Sequence, residues 1–117
     1  MMTLETLVAE FAASVPAQSE AIHRGDPTSG NKFAKQRAAI WEELRAQGDA
    51  GREALAALLW DKRADVRTMA AAYLLRYKHV EAKAVLEREA KGTGIIAFEA
   101  EQTLERWKEG AWSLDPA

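Results

Sequence analysis

Residues 61–77, with the sequence DKRADVRTMAAAYLLRY, restrict how this chain can fold more than any other stretch. On a helical wheel one face of the stretch is apolar at spacings of three and four residues, and the opposite face is nearly apolar too. The first face comprises Val66, Met69, Ala70, Tyr73, Leu74 and Tyr77, and the second comprises Thr68, Ala71, Ala72 and Leu75. A helix that is apolar nearly all round is buried on more than one side. The stretch therefore predicts a central helix packed among other helices.

The composition favours helices along the whole chain. Alanine dominates, and the 117 residues include only 7 glycines and 3 prolines, a balance typical of helical proteins. A chain of this length suits one domain with a single core. We predict one helical domain over residues 1–110 and a short tail over residues 111–117.

The location of the protein is predicted from what the sequence lacks. Cysteine is absent, which excludes disulfides, thiolate zinc sites and cysteine nucleophiles. The opening MMTLETLVAE has no basic segment of the kind that begins a signal peptide. The longest apolar run, residues 69–75, is far shorter than the roughly 20 residues that cross a bilayer. We expect a cytoplasmic protein without a membrane segment.

Hydrophobic periodicity and helix signals predict six helices. Asp26 followed by Pro27 is a strong start signal, because aspartate caps a helix and proline fits its first position. Pro16 either kinks or ends the first helix, and the helix-favouring residues after it indicate that the helix continues to Gly25. The predicted helices lie at about residues 3–24, 27–47, 50–60, 61–77, 80–91 and 95–109. Short links make neighbouring helices antiparallel, which gives three hairpins.

A weak internal repeat supports stacked helix pairs. A shift of 30 residues aligns apolar positions of the fourth helix with those of the sixth: Val66 with Ile96, Ala70 with Ala100, and Leu74 with Leu104. Stacked pairs of this kind bury a continuous core. The alternative is that any two amphipathic helices align at some shift.

The spacing Asp61-x4-Val66-Arg67-x2-Ala70-x3-Leu74 resembles the second-helix signature of HEAT repeats. This resemblance implies an all-α fold, an α-α superhelix of three antiparallel helical hairpins that is HEAT/armadillo-like. It also implies that Asp61 and Arg67 bond between neighbouring repeats. The sequence departs from the pattern at Arg63, where a Pro-Asp start is more usual, and near Glu99, where no second arginine continues the series.

The whole chain further resembles a bacterial family of short HEAT-like proteins of unknown function. The segments that carry this resemblance are LETLVAEFAAS, WEELRAQG and FEAEQTLERWKEG. It implies the same fold and a bacterial origin, and it implies no activity.

Residues suited to catalysis or metal binding do not form a complete set. Glu20 and His23 have the Glu-x-x-His spacing of half a di-iron site, but such a site needs a second copy and two further carboxylates. His79 has no glutamate three residues before it. None of the serines lies in a nucleophile elbow. We therefore predict no enzyme activity, no cofactor and no metal.

Our first functional hypothesis is a non-enzymatic protein-binding module. Even-numbered helices of such solenoids line a concave face that binds partners, and the alternative is that this face is an ordinary solvated surface. The predicted contact residues are Arg67, Ala71 and Leu75 on the fourth helix and Glu101, Gln102 and Glu105 on the sixth.

The tryptophans give a second prediction about partners. Trp41, Trp60 and Trp107 fall mostly at core positions by spacing. Trp112 lies beyond Gly110, and two readings stay open for it. Either the tail folds back with Leu114 over the end of the last hairpin, or Trp112 docks into a partner, since exposed aromatics are enriched at interfaces.

The distribution of charge bears on other classes of partner. Nucleic-acid binding through Lys62, Arg63 and Arg67 is an alternative, because this segment is basic although the whole chain has a net charge of −2. Arg63 and Arg67 lie about 40° apart on the wheel, with Arg76 near the opposite side. Without a continuous basic stripe we expect no nucleic-acid partner. A toxin-neutralising immunity protein is a further alternative by analogy of fold, and dimerisation through the apolar ends of the stack is left open.

Overall fold

A computed structural model of the chain describes residues 2–112, which contain helices and no strand. The predicted all-α class with six helices is confirmed. The helices are α1 (Leu4–His23), α2 (Pro27–Ala46), α3 (Asp49–Ala56), α4 (Ala64–Leu74), α5 (His79–Ala90) and α6 (Ile95–Lys108), and a 3₁₀ turn, Ala57–Trp60, follows α3 directly. None of these helices is long and apolar enough to cross a bilayer.

The chain divides into two compact units, Met1–Leu55 and Ala56–Ala117. In the first unit α1 and α2 pack together as a hairpin. In the second unit α4 contacts the 3₁₀ turn, α5 and α6, and α5 also packs along α6.

Local signals place the ends of the helices in the first unit. Thr3 caps α1, because its hydroxyl accepts a hydrogen bond from the Thr6 backbone N–H at 3.1 Å. The helix continues through Pro16. Gly25 ends it with a φ of 78°, a conformation that glycine adopts without a steric penalty. Asp26 then caps α2 by accepting a hydrogen bond from the Ser29 backbone N–H at 3.1 Å, as the sequence predicts.

The start of α3 lies directly against the end of α2. A Cβ atom at Gly51 would lie 1.9 Å from the carbonyl oxygen of Leu44, which is backbone and cannot move aside. Only glycine fits this approach. Apolar side chains from all three helices form the core of this unit: Leu7, Phe11, Val15, Ala21, Ile40, Trp41, Leu44 and Leu55.

Helix α4 is buried nearly all round, as its composition predicts. Its buried residues come from both predicted apolar faces: Val66, Thr68, Ala70, Ala71, Ala72, Tyr73 and Leu74. The helix is shorter than the predicted 61–77. Asp61 has extended backbone and its carboxylate accepts a hydrogen bond from the Arg63 N–H, so the helix begins only at Ala64.

The structure corrects the predicted burial of Trp60. We predicted it as core, and the structure leaves it 74% exposed. The predicted single helix over residues 50–60 changes to a 3₁₀ turn at Ala57. A 3₁₀ turn advances about 120° per residue instead of about 100°, so positions after Ala57 leave the face that a regular α-helix would give them.

Candidate interaction surface on the last helix

Helix α6 presents a mixed apolar and acidic face to solvent. Ala97, Ala100 and Thr103 are buried on its inner side. Phe98, the aromatic residue of the opposite side, is 57% exposed. The outer face, as the term is used below, comprises Ile95, Phe98, Glu101, Gln102, Glu105 and the helix cap Glu109, all exposed.

Phe98 lies in the first turn of α6, on the midline of this outer face. With about 100° per residue, Phe98, Gln102 and Glu105 point within about 60° of one another. Ile95, in the first position of the helix, is 70% exposed one turn before Phe98 and Glu99. The N-terminal half of the outer face is therefore apolar and its C-terminal half is polar.

Three glutamates form a row along the polar half. Glu101, Glu105 and Glu109 follow one another at spacings of four residues. Their carboxylates make no hydrogen bond or ion pair with any part of residues 2–112. Like charges four residues apart destabilise a helix, and the last turn of a helix favours cations. Arg106 and Lys108 supply cations at the two edges of the outer face.

The predicted contact residues divide between surface and core. Glu101, Gln102 and Glu105 are exposed together on α6. Ala71 and Leu75 are fully buried, so this part of the predicted surface is wrong. The wheel of α4 shows two apolar faces and cannot tell which one its neighbours cover. Here both are covered.

Arg67 is held by the second unit itself. Its Nε and Nη2 donate to Glu89 Oε1 at 3.0 and 2.8 Å. Its Nη1 donates to the carbonyl oxygens of Asp61 and Lys62 at 2.8 and 3.0 Å. The expected bond between Asp61 and Arg67 thus runs through the backbone of Asp61, and the carboxylate partner comes from α5. Four N–H groups are used, so Arg67 ties the start of α4 to α5 instead of facing a partner.

Trp112 packs back onto the second unit. Its indole N–H donates to the carbonyl oxygen of Ala72 at 2.8 Å, near the end of α4 where helix carbonyls lack internal partners. The side chain is half-buried. Trp112 thus folds back, as in the first of the two interpretations, but its contact is with α4 and not with the end of the last hairpin. Leu114 lies outside the described residues.

The predicted basic cluster is largely neutralised. Arg63 binds both carboxylate oxygens of Asp65 at 3.0 Å, and Arg67 binds Glu89. Within residues 2–112 Lys62 is the member of the cluster without a carboxylate partner.

The Glu20 and His23 pair lies in an open depression at the end of α1. With Ser19 and Arg24 it lines a volume of about 450 Å³. Across the described part of the chain no three histidine, aspartate or glutamate side chains converge to hold a metal ion.

Sequence reasoning missed Ile95 and Phe98 as surface residues. The wheel of α6 contained a signal for Phe98, because Ala97 and Ala100, which are buried in the structure, lie on the side of the helix opposite to it. Apolar residues at helical spacing are usually taken to mark the core side of a helix. Ile95 and Phe98 lie off the buried side of α6, so this rule assigns them no role.

One solved structure resembles this chain over nearly its whole length. The crystal structure of RPA1889 from Rhodopseudomonas palustris matches with a TM-score of 0.88 and 28% sequence identity, covering 97% of this chain and 94% of that chain. No protein-family model matches the chain, and no curated protein matches it significantly. The chain is thus an all-α protein similar in fold to this bacterial protein, whose designation states no activity.

Proposed function

We propose that this protein is a non-enzymatic protein-binding module that contacts its partner through the outer face of α6. The observation that carries the proposal is the exposure of Phe98 on the midline of that face, in the first turn of α6. Aromatic residues are enriched in the buried centres of interfaces and depleted elsewhere on surfaces. Gln102 and Glu105 beside it supply hydrogen-bonding groups of the kind found at an interface rim.

Membership of a bacterial HEAT-like family belongs to the same proposal. It is supported by the spacing from Asp61 to Leu74 and by the similarity to a bacterial protein of known structure. The cytoplasmic location and the role in toxin neutralisation stay predictions from the sequence. Nucleic-acid binding is less favoured, because the guanidinium groups of Arg63 and Arg67 already bind carboxylates.

Site-specific cross-linking tests the proposal. The photoreactive residue p-benzoylphenylalanine replaces Phe98 in the full chain, and a control chain carries it at the exposed position of Glu87 on α5. Both are irradiated in a lysate of the source organism. We expect a discrete cross-linked protein from position 98 that is absent from position 87 and is competed by the unmodified chain. Identical products from both positions, or none from either, would show that α6 has no partner.

The competition step has its own control. Excess Phe98→Asp chain should compete at least tenfold less well than the wild type, because an exposed aromatic anchor has been replaced by a charge. The substitution is at the surface, so folding should persist, and circular dichroism checks this.

A further inference from the structure

Arg37 is a buried cation whose partners are neutral. It lies in the middle of α2 and is 5% exposed. Within residues 2–112 its guanidinium donates to the Ser14 hydroxyl at 3.3 Å and to the Gln18 side-chain carbonyl at 2.6 Å, and its Nε has no acceptor there. A guanidinium group stays charged. Because burial lowers the local dielectric constant, this charge attracts a nearby anion more strongly than a surface arginine does.

The Ser14 hydroxyl connects Arg37 to a depression between α1 and α2. This depression, the α1–α2 groove, has a volume of about 410 Å³, at the lower end of the range for small-molecule sites. Ser14 lines it although the residue is itself only 5% exposed. The apolar part of the lining includes Ala13 and Ala17 from α1 and Phe33 and Ile40 from α2.

The Ser14 hydroxyl can contact Arg37 and a ligand together. It donates to the Phe11 carbonyl at 2.6 Å, an oxygen that also accepts a backbone N–H within the helix. Because a hydroxyl group rotates, its proton can turn into the groove while its oxygen still accepts from Arg37. An anion oxygen bonded to Ser14 then lies within about 6 Å of Arg37 Nη1. Opposite charges at this distance favour one another.

We propose that the α1–α2 groove binds a small monocarboxylate. Its carboxylate accepts a hydrogen bond from Ser14 and is attracted by the charge of Arg37, while its apolar body lies against Phe33 and Ile40. Glu10 lines the same groove one turn before Ser14 and is exposed. Its carboxylate repels further negative charge, so the site disfavours dicarboxylates and phosphates.

Titration of the full chain with sodium hexanoate tests the proposal. Amide chemical shifts follow binding, and hexanamide and adipate serve as ligands of the same chain length. We expect saturable shifts with hexanoate that include the Ser14 amide. Hexanamide should bind at least tenfold more weakly because it lacks the charge, and adipate should bind more weakly because Glu10 repels its second carboxylate. Hexanamide binding as tightly as hexanoate would overturn the proposal.

Two variants should change the affinity for hexanoate in opposite directions. Arg37→Met removes the buried charge and should weaken binding at least tenfold. Glu10→Gln removes the repelling charge and should strengthen binding about twofold, a small effect because Glu10 is exposed. Glu87→Gln on the exposed side of α5 is the control and should leave the affinity unchanged.

The exposed Glu10 keeps the test decisive if the core variant does not fold. Circular dichroism checks folding, and a folded Arg37→Met chain with wild-type affinity overturns the proposal. Weaker or unchanged binding by Glu10→Gln contradicts the placement of the carboxylate. A chain without saturable shifts in hexanoate overturns the proposal outright. That result leaves the proposed contact through α6 untouched, because the two sites share no residue.

Discussion

Two arginines, Arg37 at 5% exposure and Arg67 with a side chain 20% exposed, have very different hydrogen-bond partners in this protein. Arg67 is saturated by Glu89 and two backbone carbonyls. Arg37 is buried in α2 with neutral partners, the Ser14 hydroxyl at 3.3 Å and the Gln18 side-chain carbonyl at 2.6 Å, and its Nε has no partner within the described residues. A guanidinium group stays charged, so its burial is compensated at the first position and only partly at the second.

Removing Arg67 should destabilise the protein strongly. We expect Arg67→Ala to lower the free energy of unfolding by about 2–3 kcal/mol, because two carbonyls lose their donor and the mostly buried Glu89 carboxylate keeps only the exposed Arg88, whose Nε lies 4.0 Å away. Arg63→Ala is the control. The Arg63 side chain is 59% exposed, and an exposed pair is worth less than about 1 kcal/mol. Urea denaturation measures both, and equal losses would contradict the structural role of Arg67.

Replacing Arg37 should change the free energy of unfolding in the opposite direction. Arg37→Met keeps the length of the side chain and removes the buried charge, so we expect the free energy of unfolding to rise by about 1 kcal/mol. Ser14 keeps its own hydrogen bond to the Phe11 carbonyl at 2.6 Å, and half-buried Gln18 can reach water. Thermal unfolding compares the variant with the wild type, and a marked loss of stability would mean that Arg37 is better paired than these contacts indicate.

At the scale of elements, the residues at the helix ends determine where one helix stops and the next begins. The cap at Asp26 joins α1 to α2 through a short turn, and its carboxylate is charged when it caps. Hydrogen bonds from the Ser29 side chain and backbone lower the pKa of Asp26 below its usual 3.8.

The Asp26 cap predicts a pH dependence. The folded pKa lies below the unfolded value, so its stabilising contribution is complete above 3.8 and is lost as the pH falls through the folded pKa. Asp26→Asn keeps an accepting oxygen and does not titrate. We expect the difference in stability between wild type and variant to shrink between about pH 5 and pH 2. Curves that stay parallel in acid unfolding would show that Asp26 does not titrate in this way.

The contact of α2 with α3 depends on Gly51. Gly51→Ala places a methyl group against the Leu44 carbonyl, and we expect a loss of about 3 kcal/mol because backbone must move. Gly92→Ala is the control, since its Cβ would lie 3.4 Å from the Glu89 carbonyl, an ordinary contact, and should cost less than about 1 kcal/mol. Equilibrium urea unfolding ranks the two variants, and a similar cost for both would contradict the close approach.

The segment after α6 is fastened to α4 by Trp112. Trp112→Phe keeps an aromatic ring and removes the indole N–H, so we expect a loss of about 1 kcal/mol. Trp60→Phe is the matched control, because Trp60 is largely exposed and its replacement should change stability by less than about 0.5 kcal/mol. Thermal melts of both variants test this, and indistinguishable melting temperatures would argue against the bond to Ala72.

At the scale of the whole molecule, each of the two units has its own helix–helix core. The sequence predicts the helical class, the number of helices and several ends, because these depend on neighbours three or four positions away. The Asp26–Pro27 start and the Gly25 stop are local in this sense. The bond from Arg67 to Glu89 joins residues 22 positions apart, and no local pattern contains it.

The sequence by itself predicted a helix within residues 61–77 that is apolar on nearly every side, and a last helix with one buried and one solvent-facing side; the structure shortened the first of these to Ala64–Leu74. Only the tertiary structure decided that both sides of α4 are covered, which removed Ala71 and Leu75 from the predicted surface, while Phe98 on α6 stayed exposed. The physical reason is that periodicity records the direction of each side chain from its own helix axis. Burial depends on which other helix arrives on that side.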